Sequence, residues 1–166
     1  MSQIRSTIRQ TADVFFLPNL YNYNMFTHIL LASDGSACAL KAAAIAATLA
    51  SKFTARLTII NAFQPVPTVG PYGEIVNASL EDKYITEMQE QAITHAGRIV
   101  DELNVPYQSR QEIGDPATEI VRVAEEEGCD LIVVGSRGQS AFKSFMLGSV
   151  SDHVTHHAHC PVLIVR

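Results

Sequence analysis

The stretch V-G-S-R-G-Q-S-A-F-K-S-F-M-L-G-S, from Val134 to Ser149, is where an apolar strand runs into glycines and a new helix begins. Leu131 to Val134 is a continuous apolar run, the signature of a strand buried on both faces. Gly135 stands where that strand ends. Gly138 removes side-chain bulk where a ligand must come close, and Gly148-Ser149 opens a helix whose unpaired N–H groups attract anions. A phosphate chain suits that arrangement. The stretch is not a P-loop, because no lysine precedes a Ser or Thr after the glycine, and it lacks the G-x-G-x-x-G dinucleotide turn. Ser149 would offer its hydroxyl to a phosphate oxygen, with Ser136, Arg137, Ser140 and Lys143 as further candidates. Arg137 and Lys143 read equally well as solvated loop charges; the alternative to the ligand reading of the glycines is a tight connection without a ligand.

Working outward, the chain alternates strand and helix. His28 to Ser33 is a second continuous apolar run, and Asp34-Gly35-Ser36 turns it into a helix from about Ala37 to Ser51. That helix is so rich in alanine that it can lie close against a sheet. Asp34 stands at the carboxyl end of its strand, where α/β sheets place ligand-binding side chains. Its alternative role is to cap the helix or order the turn. Arg56 to Ala62 predicts a strand, followed by a proline- and glycine-rich loop from Phe63 to Gly73 that is kept out of regular structure and reads as a lid or as a plain surface loop. Ser79 and Asp82 resemble a capping pair, ahead of a long amphipathic helix with Ile85, Met88, Ala92, Ala96, Ile99 and Leu103 on one face. Pro106 to Ile113 is too polar for a central strand and predicts a sheet edge. Asp115-Pro116 starts a helix as N-cap and first residue, and Gly128 ends it. A last helix runs to about His157, and Val162 to Val165 is the final strand.

The order β-α-β-α-β-α-β-α-β predicts an α/β fold: a Rossmann-like, doubly wound parallel sheet of five strands in the order 3-2-1-4-5. The first and fourth strands are adjacent at the switch point, where a crevice forms.

Composition limits the partners. The 166 residues carry a net charge of −5, with basic and acidic residues in mixed order, so no nucleic-acid partner is expected. No window is long and apolar enough to predict a membrane span. Cys38, Cys129 and Cys160 have none of the close spacings of a zinc site or redox pair, and a reducing, cytoplasmic location is expected. Cys38, in the first turn of a helix, is either a buried filler or a thiol acidified by the helix dipole. His153, His156, His157 and His159 beside Cys160 are read as partners of a helix C-terminus, and no metal site is assigned. Residues 1–24 carry Arg5, Arg9 and an aromatic patch, and read as an appended arm or a transit peptide ahead of a domain spanning residues 25–166.

The glycine stretch, with H-I-L-L-A-S-D-G-S at the first strand, G-D-P before the third helix and C-P-V-L-I-V-R at the end, resembles the universal stress protein family, in the branch that binds ATP. The resemblance covers residues 25–166 and implies ATP, with or without Mg²⁺, as the ligand. It places Asp34 by the sugar and base, the backbone at Ala62 and Val134 along the adenine, and Gly135, Gly138, Gly148, Ser149, Val150 and Ser151 on the ribose and phosphates. It further implies a homodimer through the last strands and a nucleotide-dependent sensor or regulatory module acting on an unknown protein partner. The alternative is a slow Mg²⁺-dependent ATPase or phosphotransferase. The absence of a recognisable base or Walker lysine favours the sensor.

Overall fold

The computed structural model describes residues 25–64, 68–69, 75–76, 81–139 and 147–166. The expectations for residues 1–24, for Ser79, Ser140 and Lys143, and for most of the loop after Phe63 lie outside these. Among the described residues, no helix is long and apolar enough to cross a membrane.

Strands β1 (His28–Ala32), β2 (Arg56–Phe63), β5 (Tyr107–Ile113), β6 (Leu131–Gly135) and β7 (Val162–Val165) form one sheet in the order β5-β2-β1-β6-β7. All its pairings are parallel. Counting only these strands, the order is the expected 3-2-1-4-5. Helices α1 (Ala37–Phe53), α2 (Glu81–Glu102), α3 (Pro116–Glu126) and α4 (Ser149–His157) provide the crossovers. Two-residue strands β3 (Thr68–Val69) and β4 (Ile75–Val76) pair antiparallel. That pairing corrects the expectation that the segment after Phe63 has no regular structure, and the four paired residues are all of β-branched types, which favour strands.

Period-2 alternation divides β1 between two cores. Ile29 and Leu31 pack with the alanines of α1 and with Ala96 and Val100 of α2, while Leu30 and Ala32 pack with Ile120 and Val123 of α3 and Val154 of α4. With both faces covered, β1 and β6 are buried along their whole length, which explains their unbroken apolar sequence. Ala39, Ala42, Ala43, Ala46, Ala47 and Ala50 form the buried face of α1. Ser36 caps that helix by accepting from the Ala39 N–H, and Thr54 ends it in the left-handed region at φ 54°. The cap is therefore Ser36 and not Asp34. β5 is an edge as expected, pairing only with β2 and exposing most of its side chains.

A candidate ligand crevice at the switch point

β1 is paired with β2 on one side and β6 on the other, and the chain leaves β1 and β6 in opposite directions across the sheet. A crevice opens at their carboxyl ends, where Ala32 lies in register with Val134. It encloses a cavity of about 510 Å³, within the usual range for small-molecule sites. Asp34, Ala62, Val134, Gly135, Arg137, Gly138, Gly148, Ser149, Val150 and Ser151 all line it. Ala32, Ile60, Met88, Ala92 and Ile120 give it an apolar wall.

One rim of the crevice is built at the start of α4. The Gly148 N–H donates to the Ser136 carbonyl at 2.9 Å, and the Ser136 N–H donates to the Val165 carbonyl at 2.6 Å. These bonds fasten the helix start to the ends of β6 and β7. Gly148 is the N-cap and provides no side-chain cap. The contrast with the neighbouring helices is direct. Ser36 closes the N-terminus of α1, and Asp115 closes that of α3 by accepting from the Thr118 N–H and hydroxyl at 2.9 and 2.8 Å. Those bonds hold the Asp115 carboxyl below the ordinary aspartate range. The first turn of α4 keeps its donors for something else. The buried Ser151 hydroxyl does not join them, because it turns back to the carbonyls of Gly148 at 3.0 Å and Ser136 at 3.3 Å.

Asp34 organises the opposite wall. Its Oδ1 accepts from the Ser36 N–H at 3.0 Å, and its Oδ2 accepts from the Gln139 N–H at 2.9 Å across the crevice mouth. The Gln139 side-chain amide returns a bond of 2.5 Å to the Asp34 carbonyl, and the Ser36 hydroxyl donates to the Arg137 carbonyl at 3.2 Å. The β1–α1 turn and the loop after β6 are thus bolted together.

Two glycines have roles that the spacing alone did not reveal. A Cβ on Gly138 would lie 2.6 Å from Asp34 Oδ2, so its missing side chain makes room for a carboxylate of the protein itself. A Cβ on Gly135 would meet the Ala39 nitrogen at 2.9 Å, so this glycine lets β6 pass close under the first turn of α1. Cys38 is half-buried beside it, with Sγ 3.9 Å from the Ser136 hydroxyl.

The buried amides of Asn61 and Gln89 were missed by sequence reasoning. Asn61 Nδ2 donates to the Ser33 carbonyl at 2.7 Å, and Gln89 Nε2 donates to the Glu112 carbonyl at 2.9 Å. Together they hold the strand ends that form the cavity floor. The available signal was a polar residue inside the apolar run of β2, and another on the apolar face of α2. The histidine cluster behaves as its position suggests. Nδ1 of His156 and of His157 bonds to a carbonyl one turn back, each at 2.8 Å, and the rings of His153 and His157 stack with centroids 4.0 Å apart.

Comparison with known proteins agrees with this architecture. The model of the universal stress protein family matches residues 25–166. A universal stress protein from Thermus aquaticus is 39% identical over 146 residues, covering 86% of this chain and all of the relative. One from Methanocaldococcus jannaschii is 34% identical over 143 residues, covering 86% and 84%. Among solved structures, the UspA protein from Lactobacillus plantarum superposes with a TM-score of 0.66 at 25% identity, covering 84% of this chain and 97% of that one. A universal stress protein in complex with cAMP superposes with a TM-score of 0.64 at 25% identity, covering 86% and 98%. On the extent of these matches, the chain belongs to the universal stress protein family.

Proposed function

We propose that the crevice binds an adenine nucleotide, with ATP as the principal ligand, and that the bound state regulates a protein partner during stress. The observation that carries this reading is the N-terminus of α4, left without a side-chain cap at the rim of a cavity that also has an apolar wall. Phosphates are suited to the first and a purine to the second. The cAMP complex of a relative supports the same ligand class. In this reading the Ser149, Val150 and Ser151 N–H groups and the Ser149 hydroxyl meet the phosphates. Arg137, the only cation among the described lining residues, adds charge, and Ala62 and Val134 border the base.

The residues fit a nucleotide that carries its own Mg²⁺ on the phosphates better than a metal held by the protein. Asp34 is the only carboxylate among the described lining residues, and both its oxygens already accept backbone N–H groups. A carboxylate so engaged is a poor general base, which favours a sensor over a phosphotransferase. We also assign homodimer formation to β7, the outer strand of the sheet, where Val162, Leu163 and Ile164 are half-buried in the single chain. A cytoplasmic location and a separate arm at residues 1–24 complete the proposal.

Protein purified under mild conditions and then denatured should release adenine nucleotide that chromatography identifies. Purified protein should turn ATP over more slowly than about once per minute, far below the usual enzyme range of about 1–10³ s⁻¹. Absence of any bound or bindable nucleotide refutes the ligand assignment, and rapid turnover refutes the sensor.

A further inference from the structure

His28, Glu127 and Cys129 meet at the other end of the sheet. His28 begins β1, Glu127 ends α3, and Cys129 precedes β6, so residues about a hundred positions apart in the chain come together. One donor atom from each lies within 4.8 Å of the others. His28 and Cys129 are 3% and 2% exposed.

His28 and Glu127 face each other across a place that one positive centre, a proton on the ring or a metal ion, can fill. His28 Nδ1 lies 3.1 Å from the Glu127 carbonyl, which can only accept, so Nδ1 carries a proton, and in the neutral tautomer that this bond selects Nε2 offers its lone pair. The Thr58 hydroxyl lies 2.9 Å from His28 Nε2 and 2.9 Å from Glu127 Oε2, while those two acceptors are 3.5 Å apart. Thr58 has one hydrogen for two acceptors. Charge balance points the same way. Glu127 belongs to a network in which the guanidinium groups of Arg110 and Arg122 face the carboxylates of Glu112, Glu119, Glu126 and Glu127. Arg110 reaches Glu127 through Oε1 at 3.2 Å, and Oε2 is left turned to the cluster.

We propose that His28 Nε2, Glu127 Oε2 and Cys129 Sγ form a binding site for a divalent transition metal of the zinc class. Imidazole nitrogen, carboxylate oxygen and thiolate sulfur are the donor set such an ion takes, at about 2.0–2.3 Å once the side chains draw in. The Nδ1–H bond to a backbone carbonyl is the orienting contact that metal-bound histidines have. Without a metal the buried Cys129 is a thiol, the ordinary state of a cysteine at neutral pH. On binding, the S–H proton leaves to solvent, a metal–sulfur bond forms, and thiolate plus carboxylate neutralise the dication. Of the three ligands, Glu127 is the one nearest solvent, with its side chain 18% exposed. The site lies at the opposite end of β1 from the nucleotide crevice and does not depend on it. It escapes sequence reasoning because His28 stands far along the chain from Glu127 and Cys129.

The test is titration of the full chain with Co²⁺, and separately with Zn²⁺ in weak buffer, in a His153→Ala/His157→Ala background that removes the exposed histidine pair. The expected result is about one ion per chain, a thiolate-to-cobalt charge-transfer band, and release of about one proton. The band should persist in Cys38→Ser/Cys160→Ser and vanish in Cys129→Ser, with affinity at least tenfold weaker in Cys129→Ser and in Glu127→Gln. Far-ultraviolet circular dichroism checks that each variant is folded, and Cys129→Ala stands in if the serine is not. Binding that disappears with His153 and His157, a spectrum without a thiolate band in the folded wild type, or a band that follows Cys38 or Cys160 overturns the proposal; a proton then fills the place between His28 and Glu127.

Discussion

Gly138→Ala isolates the contact that bolts the crevice together. The added methyl would lie 2.6 Å from Asp34 Oδ2, closer than a carbon and an oxygen pack, and the backbone at Gly138 is not in the left-handed region, so the clash is the main strain. The carboxylate must withdraw, weakening its bonds to the Gln139 N–H at 2.9 Å and the Ser36 N–H at 3.0 Å. Hydrogen bonds to a charged group contribute about 1.5–3 kcal/mol when sheltered. Gln139 is exposed and Asp34 half-buried, which lowers the expected total to about 1–2 kcal/mol. The assay is urea unfolding of Gly138→Ala, Asp34→Ala and the double variant. Once the carboxylate is gone the methyl meets open space, so the second substitution should cost less than about 0.5 kcal/mol, giving a coupling energy near 1 kcal/mol. Costs that simply add would refute the claim that Gly138 is glycine because of Asp34.

Gly135→Ala should be the more damaging glycine substitution. Its Cβ would meet the Ala39 nitrogen at 2.9 Å and the Cys38 carbonyl carbon at 3.0 Å, both backbone, for a loss of about 1–3 kcal/mol seen as a lower urea midpoint. An unchanged midpoint counts against the close approach of β6 to α1. At the start of α3, Asp115→Asn keeps a capping oxygen and removes the charge. Because the folded carboxyl is held below its unfolded value of about 3.9, its extra contribution is fully present above that value and is lost as pH falls through the folded one. The advantage of wild type over Asp115→Asn in urea midpoint should therefore be constant near neutral pH and shrink on acidification, and a pH-independent difference would contradict the assignment.

What was legible in the chain was whatever local chemistry states twice. β1 and β6 announce burial on both faces by unbroken apolar runs, β5 announces an edge by proline and polar residues, and Asp115-Pro116 spells a helix start that the structure reproduces. The lining of the crevice was legible for a different reason: the glycines, Asp34 and the start of α4 all fall at strand–helix junctions on one end of the sheet. What stayed hidden depends on which atoms face each other. Asp34 and Ser36 both have capping chemistry and stand two residues apart, and only the turn geometry gives the helix to Ser36 and leaves Asp34 for Gln139. Asn61 and Gln89 are ordinary polar residues until the strand ends they hold are placed. The Glu125-Glu126-Glu127 triplet likewise conceals that Glu127 turns inward to His28 and Thr58 while Glu125 and Glu126 are exposed.

The central claim, that the uncapped start of α4 holds phosphate, is tested most directly by Ser149→Pro. Ser149 is the first residue of the helix, the position where proline is well tolerated, and Gly148 before it already has an extended conformation at φ −67° and ψ 153°. The substitution removes one N–H donor and one hydroxyl and leaves the helix in place. Calorimetric titration of wild type and variant with ATP and with adenosine should show ATP affinity falling by at least tenfold, about 1.4 kcal/mol, and adenosine affinity unchanged. Equal ATP affinity in the two folded proteins, or equal losses for ATP and adenosine, would contradict the account.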